Sequence, residues 1–445
     1  MNFENIKQLF KQAAEKAGLE EYEVYYSSEE SVSTETLKHE ISNFSFSTSG
    51  GISFRCVYNG KMGSASSELI NETVIEELVE RAMANACVIE SDDEAIIFEG
   101  SESYAELPPM SSELPSTQHL KSVSLALEEK LYSLSPMIVD GTQTAAASFV
   151  AERMLFNSYG LELSNKIGNS YMMANAVVNN GEESVESFEL SRGVETDAAD
   201  ELAQKAVDSA VSKLGAGKVK TGKYNIVFDA RQMRSILSTF SPVFSAKNAL
   251  LGLSLFAGKE GTKVAADCVT ITDDAMRDGV ALKTTFDGEG VATYRKDVIK
   301  DGVLTTLLYD LSTAKKCGKT TTANGHRGGG AISIAPFTMC IEAGSLTLDQ
   351  LFETAENGIY VTEMKGFHAG ADAVTGDFSI ECAGFLIENG KKTVPVKTFT
   401  VAGNFFTLLQ DICALSDEVS LPAASGFTTF GSPAVLVKDM SVAGE

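Results

Sequence analysis

The positions of the histidines in this sequence limit the metal-dependent chemistry that it can perform. A zinc-binding helix of the His-Glu-x-x-His type needs two imidazoles on one helix face, with a carboxylate base beside them. His39-Glu40 is the one histidine–glutamate pair, and the residues after it, Ile41 to Phe44, contain no second histidine. A composite metal site drawn from distant parts of the chain stays open. Its ligands would be His326, His368, Cys317 and Cys382.

The motifs give little support to nucleophilic catalysis. No Gly-x-Ser-x-Gly elbow occurs in the chain. His368, Asp377 and Ser379 lie within twelve residues and include the side-chain types of a catalytic triad. Asp377 and Ser379, however, lie two positions apart on a predicted strand and share a face, whereas a triad needs its base between acid and nucleophile. We interpret the cluster as a chance grouping of polar residues.

Two glycine-containing segments near position 320 match nucleotide-binding loops only in part. Cys317-Gly-Lys-Thr320 ends like a phosphate loop, but position 313, where such a loop needs glycine, is Thr. Gly325-His-Arg-Gly-Gly-Gly330 lacks the glycine spacing of a dinucleotide fingerprint. Its simplest interpretation is a flexible surface loop. The alternative is a loop whose backbone and Arg327 contact a bound peptide or a partner chain.

The composition of the chain excludes several classes of protein. Its 445 residues are 44% hydrophobic and 22% charged, which is typical of a globular protein rather than a disordered or coiled-coil one. With 61 acidic and 36 basic residues, the net charge is −25. Such a charge repels a phosphate backbone, and no basic patch offsets it. We therefore expect no nucleic-acid partner.

The sequence also predicts a soluble, cytoplasmic protein with no membrane contact. No window reaches the roughly 18 apolar residues of a membrane helix, and the richest run, residues 248–257, is too short. The start, Met1 to Lys7, lacks the basic-then-apolar pattern of a signal peptide. The seven cysteines include no Cys-x-x-Cys pair, so we expect free thiols in a reducing compartment.

The elements that must position these side chains follow from the hydrophobic period, and in the N-terminal half they indicate an α+β arrangement. An amphipathic helix over 3–17 precedes alternating strands, with Asn59-Gly60 as a tight hairpin turn. A second helix, over about 72–88, has Asn71 as its N-cap. The later predicted elements are a proline-rich connection at 91–116, a helix at about 116–134, a strand meander at 137–194 and a helix at about 196–214.

The C-terminal half is predicted to be rich in strands. A strand from Tyr224 and a helical stretch over about 230–256 precede apolar runs separated by Asp-Gly and Asn-Gly turns, and a final helix is expected at about 405–415. We place the main domain boundary at Gly215-Ala-Gly217. The predicted domains are residues 1–220, divisible into 1–115 and 116–220, and residues 221–445. The predicted fold class is α+β, with curved antiparallel sheets flanked by helices in two large domains.

A set of motifs, in a fixed order along the chain, closely resembles the TldD/PmbA family. The N-terminal block contains Gly51-Ile-Ser-Phe-Arg55, and the middle of the chain contains Asp287-Gly-Glu-Gly290. The C-terminal block contains Gly366-Phe-His-Ala-Gly370, Thr375-Gly-Asp-Phe-Ser379, Gly384-Phe-Leu-Ile-Glu-Asn-Gly390 and Ala402-Gly-Asn404. The resemblance covers nearly the whole chain, and the order and spacing of the motifs make it specific.

The resemblance implies a peptidase assembly. The TldD branch of the family carries His-Glu-x-x-x-His on a helix of the C-terminal half, with a later cysteine, to hold zinc for amide hydrolysis. The PmbA branch, also called TldE, lacks those ligands and acts with the zinc-bearing subunit as a heterodimer on peptides or unfolded segments. Here the corresponding helix reads Phe240-Ser-Pro-Val-Phe-Ser-Ala-Lys247, and the late segment from Gly426 to Gly431 has no cysteine. The chain is therefore similar to the PmbA branch.

The expected function is that of a non-catalytic partner subunit of a cytosolic zinc metallopeptidase. We expect no cofactor in this chain, zinc in a TldD-type partner, a peptide substrate, and a homodimer when the chain is alone. The residues expected to contact a peptide or a partner are Arg327, His326, His368, Asp377 and Asn404. Two alternatives stay open: a hydrolase in its own right that uses His368 or a composite metal site, and a binding protein that modulates DNA gyrase.

Overall fold

The structure is a computed structural model, and it describes residues 3–91, 93–108, 110, 113–328, 331–424, 426 and 428–445. Parts of four segments singled out above lie outside the described residues. They are Met1 and Asn2 at the start of the chain, Gly329 and Gly330 of the glycine-rich run, Phe427 of the late segment, and four residues of the proline-rich connection.

Six antiparallel strands form one sheet in the N-terminal part. They are β1 Tyr22–Leu37, β2 Glu40–Tyr58, β3 Lys61–Ser67, β4 Gln143–Asn157, β5 Glu162–Asn179 and β6 Ser184–Arg192. Their order across the sheet is β3-β2-β1-β4-β5-β6. Because β1 pairs with β4 from Glu23 to Leu37, strands from both sides of residue 115 belong to the same sheet.

Four helices cover this sheet. They are α1 Phe3–Lys16, α2 Glu72–Val88, α3 Thr117–Leu134 and α4 Thr196–Ser212. The predicted cap of α2 is present, since the Asn71 side chain accepts a hydrogen bond from the Val74 amide. α1 and α2 pack on β1 and β2 around buried Phe10 and Phe54, whereas α3 and α4 share a second cluster around Leu127.

The C-terminal part is built from short strands and helices. Its strands are β7 Gly222–Phe228, β8 Ile271–Asp273, β9 Lys296–Lys300, β10 Val303–Leu304, β11 Gly325–Gly328, β12 Ala331–Ile334, β13 Thr338–Ile341, β14 Gly358–Lys365, β15 Asp377–Glu388, β16 Lys391–Asn404, β17 Ile412–Leu415, β18 Thr429–Gly431 and β19 Val435–Ala443. Its helices are α5 Ala230–Phe240, α6 Ala246–Leu250, α7 Leu311–Lys316, α8 Leu348–Ala355, α9 Phe367–Gly370 and α10 Phe405–Asp411.

These strands form two main sheets and one small hairpin. The larger sheet has the order β16-β15-β14-β7-β19-β17, and an extra pairing of β16 with β19 curls it into a partial barrel. The second sheet has the order β10-β9-β8-β13-β18, and β11 pairs with β12. Most pairs are antiparallel; β7–β14 and β13–β18 are parallel. The α+β class with curved sheets and flanking helices is confirmed.

Three local predictions need correction. The helical stretch expected over 230–256 ends early, because Pro242 lies in a 3₁₀ turn at Ser241–Phe244 that separates α5 from the short α6. The final helix ends at Asp411 rather than near 415, since Ile412–Leu415 pair with β19. The segment 325–328 is a strand of a hairpin, not a flexible surface loop.

Three of the predicted hairpin turns are present. Asn59-Gly60 joins β2 to β3, Asp301-Gly302 joins β9 to β10, and Asn389-Gly390 joins β15 to β16; all six residues have positive φ. Asp287-Gly288 does not connect two full strands, and only a single bridge, Phe286 to Ala292, spans it. In the described part of the chain, no helix is long and apolar enough to cross a membrane.

Candidate functional site

The segment where the family resemblance places a zinc helix is a piece of hydrophobic core. Phe240, Val243 and Phe244 have no exposed surface. The Phe240 ring stacks on Phe405 with centroids 4.8 Å apart and planes at 10°, and Phe244 packs against Phe256 at 5.3 Å. These side chains offer carbon where a metal needs nitrogen, sulfur or oxygen, so they do not fit a zinc ion.

The arrangement of possible metal ligands elsewhere in the structure also argues against a metal site. Over the described residues, no group of three or more His, Cys, Asp or Glu side chains lies together in a way that could hold a metal ion. The composite site from His326, His368, Cys317 and Cys382 is therefore not assembled.

Asp377 and Asn404 lie opposite each other on β15 and β16, close to this core. The Asn404 side-chain amide donates to the Asp377 carboxylate (2.8 Å) and to the Thr375 carbonyl (2.9 Å). Its oxygen accepts from the amides of Phe406 and Thr407, which caps α10. Gly376 has φ +83° and lies against the Phe406 ring, where a Cβ would come within 2.6 Å of a ring carbon. These motif residues lock a turn against a helix.

His368 is an exposed residue of α9, which follows Gly366 in the left-handed conformation. The Asp377 carboxylate is taken by Asn404, and Asp372 accepts from the backbone amides of Val374 and Thr375. The structure therefore uses both nearby carboxylates to shape the turn rather than to orient an imidazole.

Arg327 leaves the β11 hairpin and reaches the N-terminal sheet of its own chain. Its guanidinium pairs with Glu23, donates through Nε to the Gly288 carbonyl (2.9 Å), and lies over the Tyr25 ring at 5.0 Å. Its side chain is 1% exposed. Arg327 therefore joins the two halves of the molecule.

Arg327 belongs to a buried group of charges that we call the junction cluster: Glu23, Arg55, Asp287, Glu289 and Arg327. The Glu23 carboxylate also accepts from Arg55 (3.0 Å), and Arg55 lies 3.9 Å from Glu289. Asp287 accepts three backbone amides, from Glu289, Val291 and Gly325. All five side chains are nearly fully buried between β1, β2 and the C-terminal part.

Burial dominates the electrostatics of the junction cluster. It raises the pKa of Asp287 to about 6, against the lowering effect of the three backbone amides. Burial, and next the charge of Asp287, raise the pKa of Glu289 to about 8. Glu289 thus keeps its proton at neutral pH, whereas Asp287 releases its proton below that pH, and neither buried carboxyl group is exposed to a substrate. The cluster acts as a joint between the domains.

His326, the neighbour of Arg327, is half-buried, and its Nε2 atom is enclosed. Its ring stacks on Phe337 with centroids 4.2 Å apart. Burial lowers its pKa to about 4, and its Nε2 atom has no hydrogen-bond partner within the described structure. A neutral imidazole of this kind contributes to packing.

The main accessible hollow is a groove between α4 and β6 on one side and the larger C-terminal sheet on the other. Its volume is about 1340 Å³. Arg231 crosses it to Glu189 (2.6 Å), and Tyr360 donates to Asp229 (2.5 Å) at its floor. Burial raises the pKa of Tyr360 above its ordinary value, so this hydroxyl remains a donor. Sequence patterns gave no signal for the groove, because its lining comes from nine separate segments.

The fold and this site define an α+β protein of two joined halves. The family comparisons agree. The models of the PmbA/TldA metallopeptidase match domain 1 at residues 22–86, the central domain at 112–214 and the C-terminal domain at 221–444. The chain belongs to this PmbA/TldD family, as its motifs predicted.

Individual relatives span almost the whole chain. Metalloprotease PmbA of Escherichia coli O157:H7 is 24% identical over 438 residues, which cover 95% of this chain and 92% of the relative. A Methanocaldococcus jannaschii protein without an assigned function is 27% identical over 413 residues, 91% and 93% of the two chains.

Solved structures show the same architecture. A Thermotoga maritima protein described as a proposed modulator of a DNA gyrase matches with a TM-score of 0.89 at 26% identity, over 99% of this chain and all of that one. TldE of Thermococcus kodakarensis matches with a TM-score of 0.88 at 22% identity, over 99% and 100% of the two chains, which shows a shared fold.

Proposed function

We propose that this chain is a non-catalytic, cytoplasmic partner subunit of a zinc metallopeptidase of the TldD/TldE type. The observation that supports the proposal is the apolar core at residues 240–247, the segment that the family resemblance implies would carry metal ligands, where Phe240, Val243 and Phe244 are fully buried. Membership in a metallopeptidase family supplies the class of reaction. A TldD-type subunit supplies zinc and the activated water, and this chain supplies walls that admit an extended peptide.

The groove beside α4 supports the second half of this proposal. Its volume of about 1340 Å³ exceeds that of a usual small-molecule pocket. Strand β6 forms the free end of the N-terminal sheet at its rim. An extended peptide could pair with such an edge through backbone hydrogen bonds, which depend little on side-chain sequence.

The test is peptide hydrolysis by the chain alone, by a relative that contains His-Glu-x-x-x-His alone, and by the two mixed. An unstructured peptide serves as the substrate, with and without a chelator. We expect negligible cleavage by this chain and chelator-sensitive cleavage by the mixture, because amide hydrolysis needs roughly 8–23 kcal/mol of barrier lowering and this chain has no evident source for it. Cleavage by this chain alone would refute the proposal.

His368 decides between this proposal and a hydrolase in its own right. It is the most exposed of the imidazoles singled out in the C-terminal half, and it lies on a turn rich in carboxylates. If the wild-type chain cleaves alone, resists the chelator and loses activity as His368→Ala, the chain is itself the enzyme. Equal, negligible rates for both proteins agree with the partner role.

A second candidate function rests on the Thermotoga maritima neighbour, which is described as a proposed modulator of a DNA gyrase. The net charge of −25 disfavours contact with DNA but leaves contact with the gyrase protein open. A binding assay with purified gyrase subunits, in parallel with a TldD-type chain, separates this candidate from the first.

A further inference from the structure

The groove beside α4 is lined by unequal numbers of acidic and basic side chains. Among the described residues, seven acidic and four basic side chains line it, which gives the groove a net charge of −3. Four of the carboxylates are exposed and lie on opposite walls. Glu201 and Asp208 lie on α4, and Asp417 and Glu418 follow β17 on the C-terminal side.

Most of the cations in this groove are already paired with carboxylates of the groove itself. Glu189, whose side chain is 6% exposed, pairs with both Arg231 (2.6 Å) and Lys205 (3.3 Å). Lys213 lies 3.6 Å from Glu363. Because these ion pairs offset three of the positive charges, they offer little attraction to an acidic ligand.

The four exposed carboxylates have no cationic partners. Within the described part of the chain, Glu201, Asp417 and Glu418 form no ion pair. Asp208 accepts a hydrogen bond from the neutral side-chain amide of Gln204 (2.9 Å). Uncompensated charges of one sign on two walls of a groove concentrate opposite charges between them. The groove therefore attracts cationic groups.

Aromatic rings in the groove add apolar contact surface. Phe188 on β6 is 50% exposed. Phe385 already carries a basic side chain, because the Lys392 ammonium lies 4.7 Å from the centre of its ring. Lysine and arginine pack their methylene stems on apolar surface and keep the charged head near carboxylates or water. The exposed Phe188 ring offers a ligand the same kind of contact.

We propose that the groove beside α4 selects extended polypeptide segments that carry lysine or arginine. The inference rests on the proposed function, because it names the class of peptide that the groove admits. The basic heads lie between the carboxylates of the two walls, and a methylene stem packs on Phe188. An acidic segment brings like charges together on both walls and is rejected.

Peptide binding to the purified chain alone tests this selection without any cleavage. The probes are two labelled, unstructured peptides that carry lysine or glutamate at the same positions and are otherwise identical. In fluorescence anisotropy at low ionic strength, we expect the lysine peptide to bind at least about tenfold more tightly than the glutamate peptide. Added salt should reduce this ratio, since the carboxylates are exposed.

Matched variants separate the groove from the overall charge of −25, which attracts any cation. Glu201→Gln combined with Glu418→Gln removes one carboxylate from each wall. Glu77→Gln combined with Glu80→Gln removes the same charge from exposed positions of α2, which packs on β2 and β3 at the opposite end of the sheet from β6. We expect the groove variant to bind the lysine peptide about fivefold more weakly and the α2 variant to match the wild type within about twofold.

Equal affinity for the two peptides, no binding of either peptide, or equal weakening by both double variants would overturn the inference. The same peptides keep this test separate from that of the proposed function. If a mixture with a zinc-bearing relative cleaves both peptides equally well and this chain alone cleaves neither, the partner-subunit proposal stands and the selection of basic segments fails.

Discussion

Arg327 and Glu23 form a buried ion pair between residues 304 positions apart in the chain. Glu23 lies on the first strand of the N-terminal sheet, and Arg327 lies on the small β11–β12 hairpin of the C-terminal part. The pair therefore fixes how the two halves meet.

Removing Arg327 should destabilise the protein strongly. Arg327→Ala leaves Glu23 buried with Arg55 alone, and loss of one partner from a buried pair costs about 3–5 kcal/mol. Lys16→Ala removes an exposed pair with Glu76 and should cost less than about 1 kcal/mol. Urea unfolding of both variants measures the difference. Equal losses would show that the junction cluster is not a stabilising joint.

Glu289 should make the protein less stable as pH rises. Because its folded pKa is about 8, above the ordinary 4.5, the folded state holds a proton that the unfolded state has released. Stability is therefore highest below about pH 4.5 for this group and is lost as pH rises through about 8. Glu289→Gln keeps an acceptor for the Leu311 amide and removes the titration.

The measurement is the free energy of unfolding of wild type and Glu289→Gln at pH 5.5 and pH 8.5. We expect the wild type to lose at least about 1.4 kcal/mol relative to the variant between these values, the equivalent of one pKa unit. A difference that does not change with pH would contradict the assignment of the raised pKa to Glu289.

Local signals in the sequence were sufficient for much of the fold. Asn71 caps α2, and Asn389-Gly390 turns a hairpin, because a single residue type satisfies a backbone requirement at each place. The ordered motifs then identified the family correctly, as the three matching domain models show. Helix ends near Pro242 and Asp411 were missed, since pairing partners distant in the sequence decide where those helices stop.

The junction cluster could not be predicted from local patterns. Asp287-Gly-Glu-Gly290 has the composition of a solvated turn, yet Asp287 is 1% exposed. Glu23 alternates with apolar neighbours as a solvent-facing residue would, yet it is fully buried, because the C-terminal part covers the second face of β1. When a distant domain buries a charged residue, the sequence pattern of that residue's own strand does not reveal the burial.

Asn404 should matter more for stability than an ordinary helix cap. Asn404→Ala removes the cap of α10, worth about 0.5–2 kcal/mol, and also leaves Asp377 and the Thr375 carbonyl without their donor. Asn71→Ala removes only the cap of α2 and is the matched control. Chemical denaturation should give a larger loss for Asn404→Ala. A loss equal to that of Asn71→Ala would show that the contact between Asn404 and Asp377 does not stabilise the protein.

The purified chain should contain no stoichiometric zinc or other transition metal. The reason is the aromatic packing of Phe240 and Phe244 in the segment expected to carry ligands. Elemental analysis after gel filtration checks this, with a zinc-bearing relative prepared in the same way as the positive control. Zinc near one equivalent per chain, retained against a mild chelator, would contradict the prediction and would point to ligands brought together by a second chain.

His326 should give the opposite pH dependence to Glu289. Burial lowers its pKa to about 4, below the ordinary 6.5, so between these values the unfolded state binds a proton that the folded state excludes. The stability due to neutral His326 is complete above about pH 6.5 and is lost as pH falls towards 4. We expect the wild type to lose up to about 3 kcal/mol relative to His326→Leu between pH 7.5 and pH 4.5. His368→Asn, which removes an exposed histidine, is the control and should follow the wild type at both values. If His326→Leu shows the same pH dependence as the wild type, the pKa of His326 is not lowered in the folded protein, and its imidazole must be protonated or solvated there.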